Sequence, residues 1–564
     1  MPAIRFDSFA GLDNRADAVT MNVWRVSQVD DDLGGRTTVS YAQKLVCNNQ
    51  PPAGSWVWNT QDCYPRWTTN NGSQGWGAFN RYLVASVTSS DKVAGGPSTV
   101  VAYNYEGDAA YRYDTSPFTT NKTWSEPHGY TAVTTISGPG SNATYTKTRQ
   151  QFYRGMHGDS TGAGGTKSFS VTYYDGTVTA DDWWFNGRAF TNETYDYATS
   201  GLVERTDTTL TPVTTANYGS QLAVRLDVTK ATHTSLEVGG FHTTQTRTVF
   251  DAYGFPIETW DIGNVWDGVD DTCTYTEYVR GALQLQYWNL GLPVFSVRTA
   301  GSPSYPGGFA GYCDETPGNE LGYTKWRYDW LAVGANTTGL VTSTSTRALA
   351  TAPWLETLSA YNAQNKLASV DGPVAGTSDT TSYLYDSFGH RNAVTDATGH
   401  RVNQITDPGR GSVLSISDLN NRTVPSVDDG ADKVTTYGYD TVGRVTNVLL
   451  PGDSSPSGTV SYTLSVDAQS LVNAPPKITK VTKVTAADSV TTVTYLDGLG
   501  RTRETQTSGP NGGRIVSASQ YDGRSQVIKS FTGRYLDANT PGDGLWTAGC
   551  VQLGVTRIGN QDGV

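Results

Sequence analysis

The sequence predicts an all-β protein with little or no helix, and three observations predict it. Strand-like runs alternate with period two, as in Thr435 to Val448, where Val434, Thr436 and Gly438 alternate with Thr435, Tyr437 and Tyr439. Asp and Gly return between such runs at a fixed spacing, the chemistry of a tight turn. Threonine is plentiful, aromatics make up 11% and 61 glycines punctuate the chain, which favours pleated, half-buried surfaces over helices.

Residues 1–150 read as an N-terminal β-rich region. Its clearest strands are Thr37 to Tyr41, Tyr82 to Val87 and Val100 to Tyr105. Trp56, Trp58, Trp67 and Trp76 crowd one loop-rich stretch, read either as a sugar-stacking platform or as rings covering the end of a β-body. Residues 151–245 form a β-rich connecting region. Its Gly-rich loop, Gly162 to Ser168, fails as a phosphate cradle because Thr166 stands where a glycine must precede the lysine, so a surface hairpin is expected. Trp183-Trp184-Phe185 is expected to be a core strand with rings on both faces.

Residues 246–564 carry the repeating turns, broken by Gly- and Pro-rich loops at Gly301 to Asn319 and Gly452 to Gly458. Tyr439-Asp440-Thr441-Val442-Gly443-Arg444 is the type copy. Asp440 can accept backbone N–H bonds as the first turn residue, and Gly443 can take the left-handed conformation of a G1 bulge. Tyr385-Asp386-Ser387-Phe388-Gly389-His390 repeats it, and Asp497-Gly498-Leu499-Gly500-Arg501 does so with Tyr495 one place further back. Tyr361 to Lys366 and Asp418 to Arg422 put Asn where Gly stood, while Phe250-Asp251-Ala252-Tyr253-Gly254 lacks the base. Tyr521-Asp522-Gly523-Arg524 reads as the phrase with two residues deleted.

This phrase resembles the YD repeat of the RHS family. That family includes bacterial polymorphic toxins, the shell-forming components of insecticidal Tc toxin complexes, and the extracellular part of teneurins. Cys47 and Cys63 among tryptophans, Thr123-Trp124-Ser125, Tyr153 to Asp159 and Asp270 to Cys273 resemble the large wall-associated RHS proteins of actinobacteria. The resemblance implies a spiral β-sheet forming part of a hollow shell, and a role as scaffold around a C-terminal toxin payload that lies outside this chain. It also implies an internal fragment of a secreted or cell-wall-associated protein, incomplete at the C-terminus. The alternative is a wall-associated adhesin whose aromatic loops bind cell-wall glycan or a surface protein.

Composition bounds the remaining classes. Lys plus Arg is 41 against 53 Asp plus Glu, a net charge of −12 with no basic block, so nucleic acid is not an expected partner. No stretch approaches the roughly 20 apolar residues needed to span a bilayer, so no membrane insertion is expected. Met1 to Phe6 lacks the apolar core of a signal peptide. Cys47 and Cys63, and Cys273 and Cys313, would suit two loop-closing disulfides with Cys550 left over; five buried thiols are the alternative.

No nucleophile elbow, His-Glu-x-x-His or calcium-loop motif is present, and none of His128, His157, His233, His242, His390 and His400 has a local partner set. No enzyme activity, cofactor or metal is therefore expected. Asp30-Asp31-Asp32, Asp267 with Asp270-Asp271, and Asp428-Asp429 with Asp432 read as solvated loop charge before calcium ligands. The Asn-x-Ser/Thr sequons at Asn71, Asn121, Asn142, Asn192, Asn336 and Asn421 are expected noise in a Thr-rich chain of the bacterial source that the resemblance implies. In RHS relatives that release a payload by self-cleavage, the resemblance implies an aspartate-bearing segment at the end of the repeat core; no candidate follows Asp522 beyond Asp537, Asp543 and Asp562, which stand in loop-like contexts.

Overall fold

Antiparallel pairing between consecutive strands organises the chain in the computed structural model, as the period-two patterning requires. The structure describes residues 4–17, 20–47, 56–70, 73–116, 118–139, 145–162, 164–218, 221–235, 240–281, 286, 288–300, 313, 319–332, 334–418, 433–464, 475–485, 487–536 and 539–546. Two compact units are present, one of Met1–Asp207 with Gly458–Val564, the other of Thr208–Ser457.

In the first unit, Ile4–Asp13 pairs with Asn22–Asp31, and the ladder continues through Gly35–Ala42, Leu83–Asp91, Thr99–Glu106, Ala132–Pro139, Thr146–Phe152, Ala189–Asp196 and the start of Leu202–Tyr218. Three small hairpins branch from it: Cys63–Asn70 with Ser73–Asn80, Ala110–Tyr113 with Trp124–Gly129, and Ser170–Thr172 with Val178–Ala180. Under the first two lies a core of Trp56, Ala78, Leu83, Tyr111, Trp124 and Tyr130. A second ladder runs from Gly458–Thr463 through Lys477–Lys483, Ser489–Leu496, Thr502–Ser508 and Arg514–Tyr521 to Val527–Leu536. The two ladders meet where Gly498 N–H donates to Asp91 Oδ1 at 2.9 Å. Glycine is required there: a Cβ at Gly498 would lie 2.5 Å from the Gly34 carbonyl oxygen.

In the second unit, every strand from Gln221–Ser235 to Val445–Leu449 pairs antiparallel with the next. Most of its strand residues are only half-buried; small clusters such as Val279, Val294 and Tyr328 are its fully buried parts. Cross-strand neighbours therefore contribute much of the packing, each pair worth roughly 0.2–1 kcal/mol.

Trp183-Trp184-Phe185 is a short 3-10 turn rather than a strand, which corrects the sequence expectation. Phe185 alone is buried, packing 4.6 Å from the Tyr153 ring, while Trp183 is 46% exposed. The reason lies just upstream, where Asp181 is held by N–H bonds from Arg154 and Gly155, and three helical residues then turn only one ring inward.

Candidate functional site

The repeated turns are built alike. At Asp440, Oδ1 accepts the Val442 N–H at 3.0 Å and the Arg444 N–H at 2.9 Å, while the Asp440 carbonyl accepts the Gly443 N–H at 3.1 Å. Gly443 has φ 89°, and the pairing register slips between Gly438 and Tyr439, where the turn inserts its extra residue. Arg444 Nε donates to Asp440 Oδ2 at 2.7 Å. Asp386 holds Phe388 and His390 in the same way with Gly389 at φ 86°, and Asp497 holds Leu499 and Arg501 with Gly500 at φ 75°. Asn362 does so with Asn365 at φ 59°.

Asp522 corrects a sequence reading, because its turn has full length. Its Oδ1 accepts the Arg524 N–H at 2.8 Å and the Gln526 N–H at 2.9 Å, and Ser525 takes the left-handed position at φ 63°. Gly523 misleads by sitting one place after the aspartate, where no positive φ occurs. Asp251 finds its missing base 29 residues on, where Arg280 pairs with its Oδ2. Asp396, preceded by threonine, forms the same turn with Gly399 at φ 87°.

The tyrosine has a role that spacing alone did not assign. Tyr439 Oη donates to the Val413 carbonyl at 2.7 Å, Tyr385 Oη to Leu367 at 2.9 Å, Tyr361 Oη to Val341 at 2.9 Å and Tyr521 Oη to Thr502 at 2.8 Å. Each acceptor is the carbonyl at or beside the start of the preceding strand, at the end where ladder bonding runs out. Tyr495, displaced by one residue, is instead buried and donates to the Gly542 carbonyl at 3.1 Å, leaving Leu496 beside the turn.

The bases clip successive turns. In the second unit, Arg410 donates to the carbonyls of Asp440 at 3.3 Å and Thr441 at 2.9 Å, and the Lys366 ammonium lies 5.6 Å from the Tyr385 ring centroid. In the first unit, Arg501 reaches the Asp522 carbonyl at 3.3 Å and lies 4.6 Å from the Tyr521 ring centroid. Because strands alternate in direction, the turns at Asp251, Asn362, Asp386 and Asp440 share one edge of their sheet. Along that edge the turn carrying Arg410 is bonded to the turn at Asp440, and Lys366 of the Asn362 turn reaches the ring beside Asp386.

The turn carboxylates are acidic for local reasons. The Arg444 N–H holds Asp440 below the usual range, aided by the Arg444 guanidinium. At Asp386, partial desolvation works upward but is outweighed by the N–H groups of His390 and Phe388.

Cys47 is bonded to Cys63 with Cα atoms 5.8 Å apart, and Cys273 to Cys313 with Cα atoms 5.4 Å apart. Trp56 is buried, Trp58 is 59% exposed, and Trp67 and Trp76 face each other across a hairpin with rings 5.4 Å apart. Asp30 pairs with Arg36 at 2.7 Å, Asp31 accepts the Leu33 and Gly35 N–H groups, and Asp270 accepts the Asn264 N–H. Among the described residues, no group of three His, Cys, Asp or Glu side chains is placed to hold a metal ion. Asn71, Asn142, Asn421 and Arg422, Asp428, Asp429, Asp432, Asp537, Cys550 and Asp562 lie outside the described residues, as does most of Gly301 to Asn319.

The sequence matches no family model and no curated protein. The fold, however, matches solved structures of TcdB2-TccC3 at 12% identity and TM-score 0.61 over 91% of this chain, and of TcdB2-TccC3-TEV at 11% and 0.62 over 92%. TcdB2-TccC3 without its hypervariable C-terminal region matches at 11% and 0.61 over 91%. This chain spans about a third of the length of those solved chains, 32%, 34% and 33% respectively. The fold is thus a large antiparallel β-sheet architecture of the kind found in TcdB2-TccC3.

Proposed function

We propose that this chain is a structural scaffold, one part of an RHS-type β-shell that encapsulates and presents a C-terminal toxin lying outside it. The observation that carries the reading is the match to TcdB2-TccC3 over more than nine-tenths of the chain. The antiparallel pairing of successive strands and the clips between neighbouring turns support it, since both leave few free backbone groups along a wall. On this reading the chain catalyses no reaction and needs no cofactor. Its setting is secreted or cell-wall-associated, where two disulfides persist.

The test is protection. The gene segment that follows this chain is expressed fused to it and, separately, alone, and both are exposed to a nonspecific protease. The fused segment should survive much longer. Equal digestion rates would refute encapsulation and favour the adhesin reading, which rests on exposed rings such as Trp266 and Trp288, 84% and 78% accessible.

A further inference from the structure

The Gly-rich hairpin brings together a lysine and an aspartate that the scaffold role does not use. Lys167 N–H donates to the Asp159 carbonyl at 2.7 Å, and Thr161 N–H to Gly165 at 2.9 Å, so residues 159 and 167 face each other across the hairpin. Both side chains turn inward and are only 2% exposed. Nζ stands 2.8 Å from Asp159 Oδ2, yet the contact lacks hydrogen-bond alignment, and Oδ2 has no hydrogen-bond partner among the described residues. The rings of Trp58 and Trp124 flank Nζ at 5.3 and 6.0 Å. The loop is the surface hairpin the sequence predicts, with Gly162, Gly164, Gly165 and Thr166 exposed, but Lys167 within it is one of the more deeply buried charged groups among the described residues.

We propose that Lys167 and Asp159 form an intramolecular isopeptide bond, an amide between Nζ and Cγ. A buried, aromatic setting disfavours two separated charges and favours a neutral product. In accord with this, burial holds the Lys167 ammonium below the usual lysine range against the opposing pull of Asp159.

The step balances without a further reactant. The ammonium passes one proton to Oδ2, leaving an amine beside a neutral carboxyl. Nζ then attacks Cγ, and negative charge gathers on Oδ1, where the Tyr113 N–H donates at 3.1 Å and Arg112 Nε stands 4.0 Å away. As the tetrahedral centre collapses, the Cγ–Oδ2 bond breaks and a second proton moves from Nζ to Oδ2, which leaves as water. An ammonium and a carboxylate become one amide and one water. Lys167 also lines a cavity of about 110 Å³ with Trp58, Tyr111 and Arg154, which gives the released water a way out.

Mass spectrometry of the full chain, reduced and denatured, decides the matter. The expected mass is one water below that of the sequence. Trypsin should fail to cut after Lys167, giving one peptide from Gly155 to Arg188 that lacks a water. Lys167→Arg should restore the sequence mass, because a guanidinium is a poor nucleophile. Asp159→Asn should replace the lost water by lost ammonia, since the leaving group changes. A full sequence mass with normal cleavage after Lys167 overturns the proposal. So does a water deficit that survives Lys167→Arg, or one that leaves cleavage after Lys167 intact, the signature of a succinimide at Asp159.

Discussion

Gly443→Ala isolates the backbone contribution of a repeat turn. Gly443 has φ 89°, and an added Cβ would meet nothing within 4 Å, so steric crowding plays no part. Holding an L-residue in the left-handed region costs about 1–2 kcal/mol, and alanine's smaller unfolded-state entropy offsets roughly 0.4–1 of that. The net loss is about 1 kcal/mol, which corresponds to roughly fivefold faster local opening. Hydrogen exchange of a peptide covering 433–449 reads this directly, without requiring the whole chain to unfold in one step. Thr441→Ala is the control, because Thr441 is exposed and its carbonyl, which Arg410 uses, is retained. The opposite sign is expected at Ser525→Gly, which relieves a serine held at φ 63° and should slow exchange across Arg514–Leu536. Equal exchange in Gly443→Ala and Thr441→Ala, or faster exchange in Ser525→Gly, would refute the assignment of these positions.

Tyr439→Phe removes the donor to Val413 and should cost about 1 kcal/mol in the same exchange assay, whereas Tyr437→Phe should be near neutral; identical behaviour would deny the hydroxyl its role. Asp440 and Asp386 are held below their unfolded pKa, so their stabilisation is complete above about pH 4 and is lost as pH falls through the lower folded values. An acid titration followed by exchange should therefore show Asp440→Asn flattening the pH dependence of its own hairpin, and an unchanged profile would contradict the linkage. Digestion without reductant should release linked peptides carrying Cys47 with Cys63 and Cys273 with Cys313, and alkylation of all four in native protein would argue against both bridges.

Local chemistry was legible and distant chemistry was not. Asp440, Gly443 and Arg444 announce their turn because every bond that defines it lies within five residues. The fold class followed from the same phrase and from period-two patterning. By contrast, Arg280 completes the turn at Asp251 from another strand, and no spacing rule points to it. The left-handed residue after Asp522 is a serine, so the eye settles on Gly523 instead. The Gly-rich stretch reads as a surface hairpin and is one, but no local pattern shows that Lys167 alone folds its side chain inward against Trp58 and Trp124. The clipping of Asp440 by Arg410 joins residues 30 apart and is visible only in three dimensions.

The shared edge of the turns also imposes a parity rule on how such a chain can grow or shrink. Inserting a single strand between Val413–Asp418 and Lys433–Tyr439 would reverse the direction of everything after it and carry the turn at Asp440 to the far side, out of reach of Arg410. Inserting two leaves the direction, and so the edge, intact. Lengths of the body should therefore vary among homologous chains by hairpins and never by lone strands, while the copy at Asp396, one strand on from Asp386, belongs to the opposite edge.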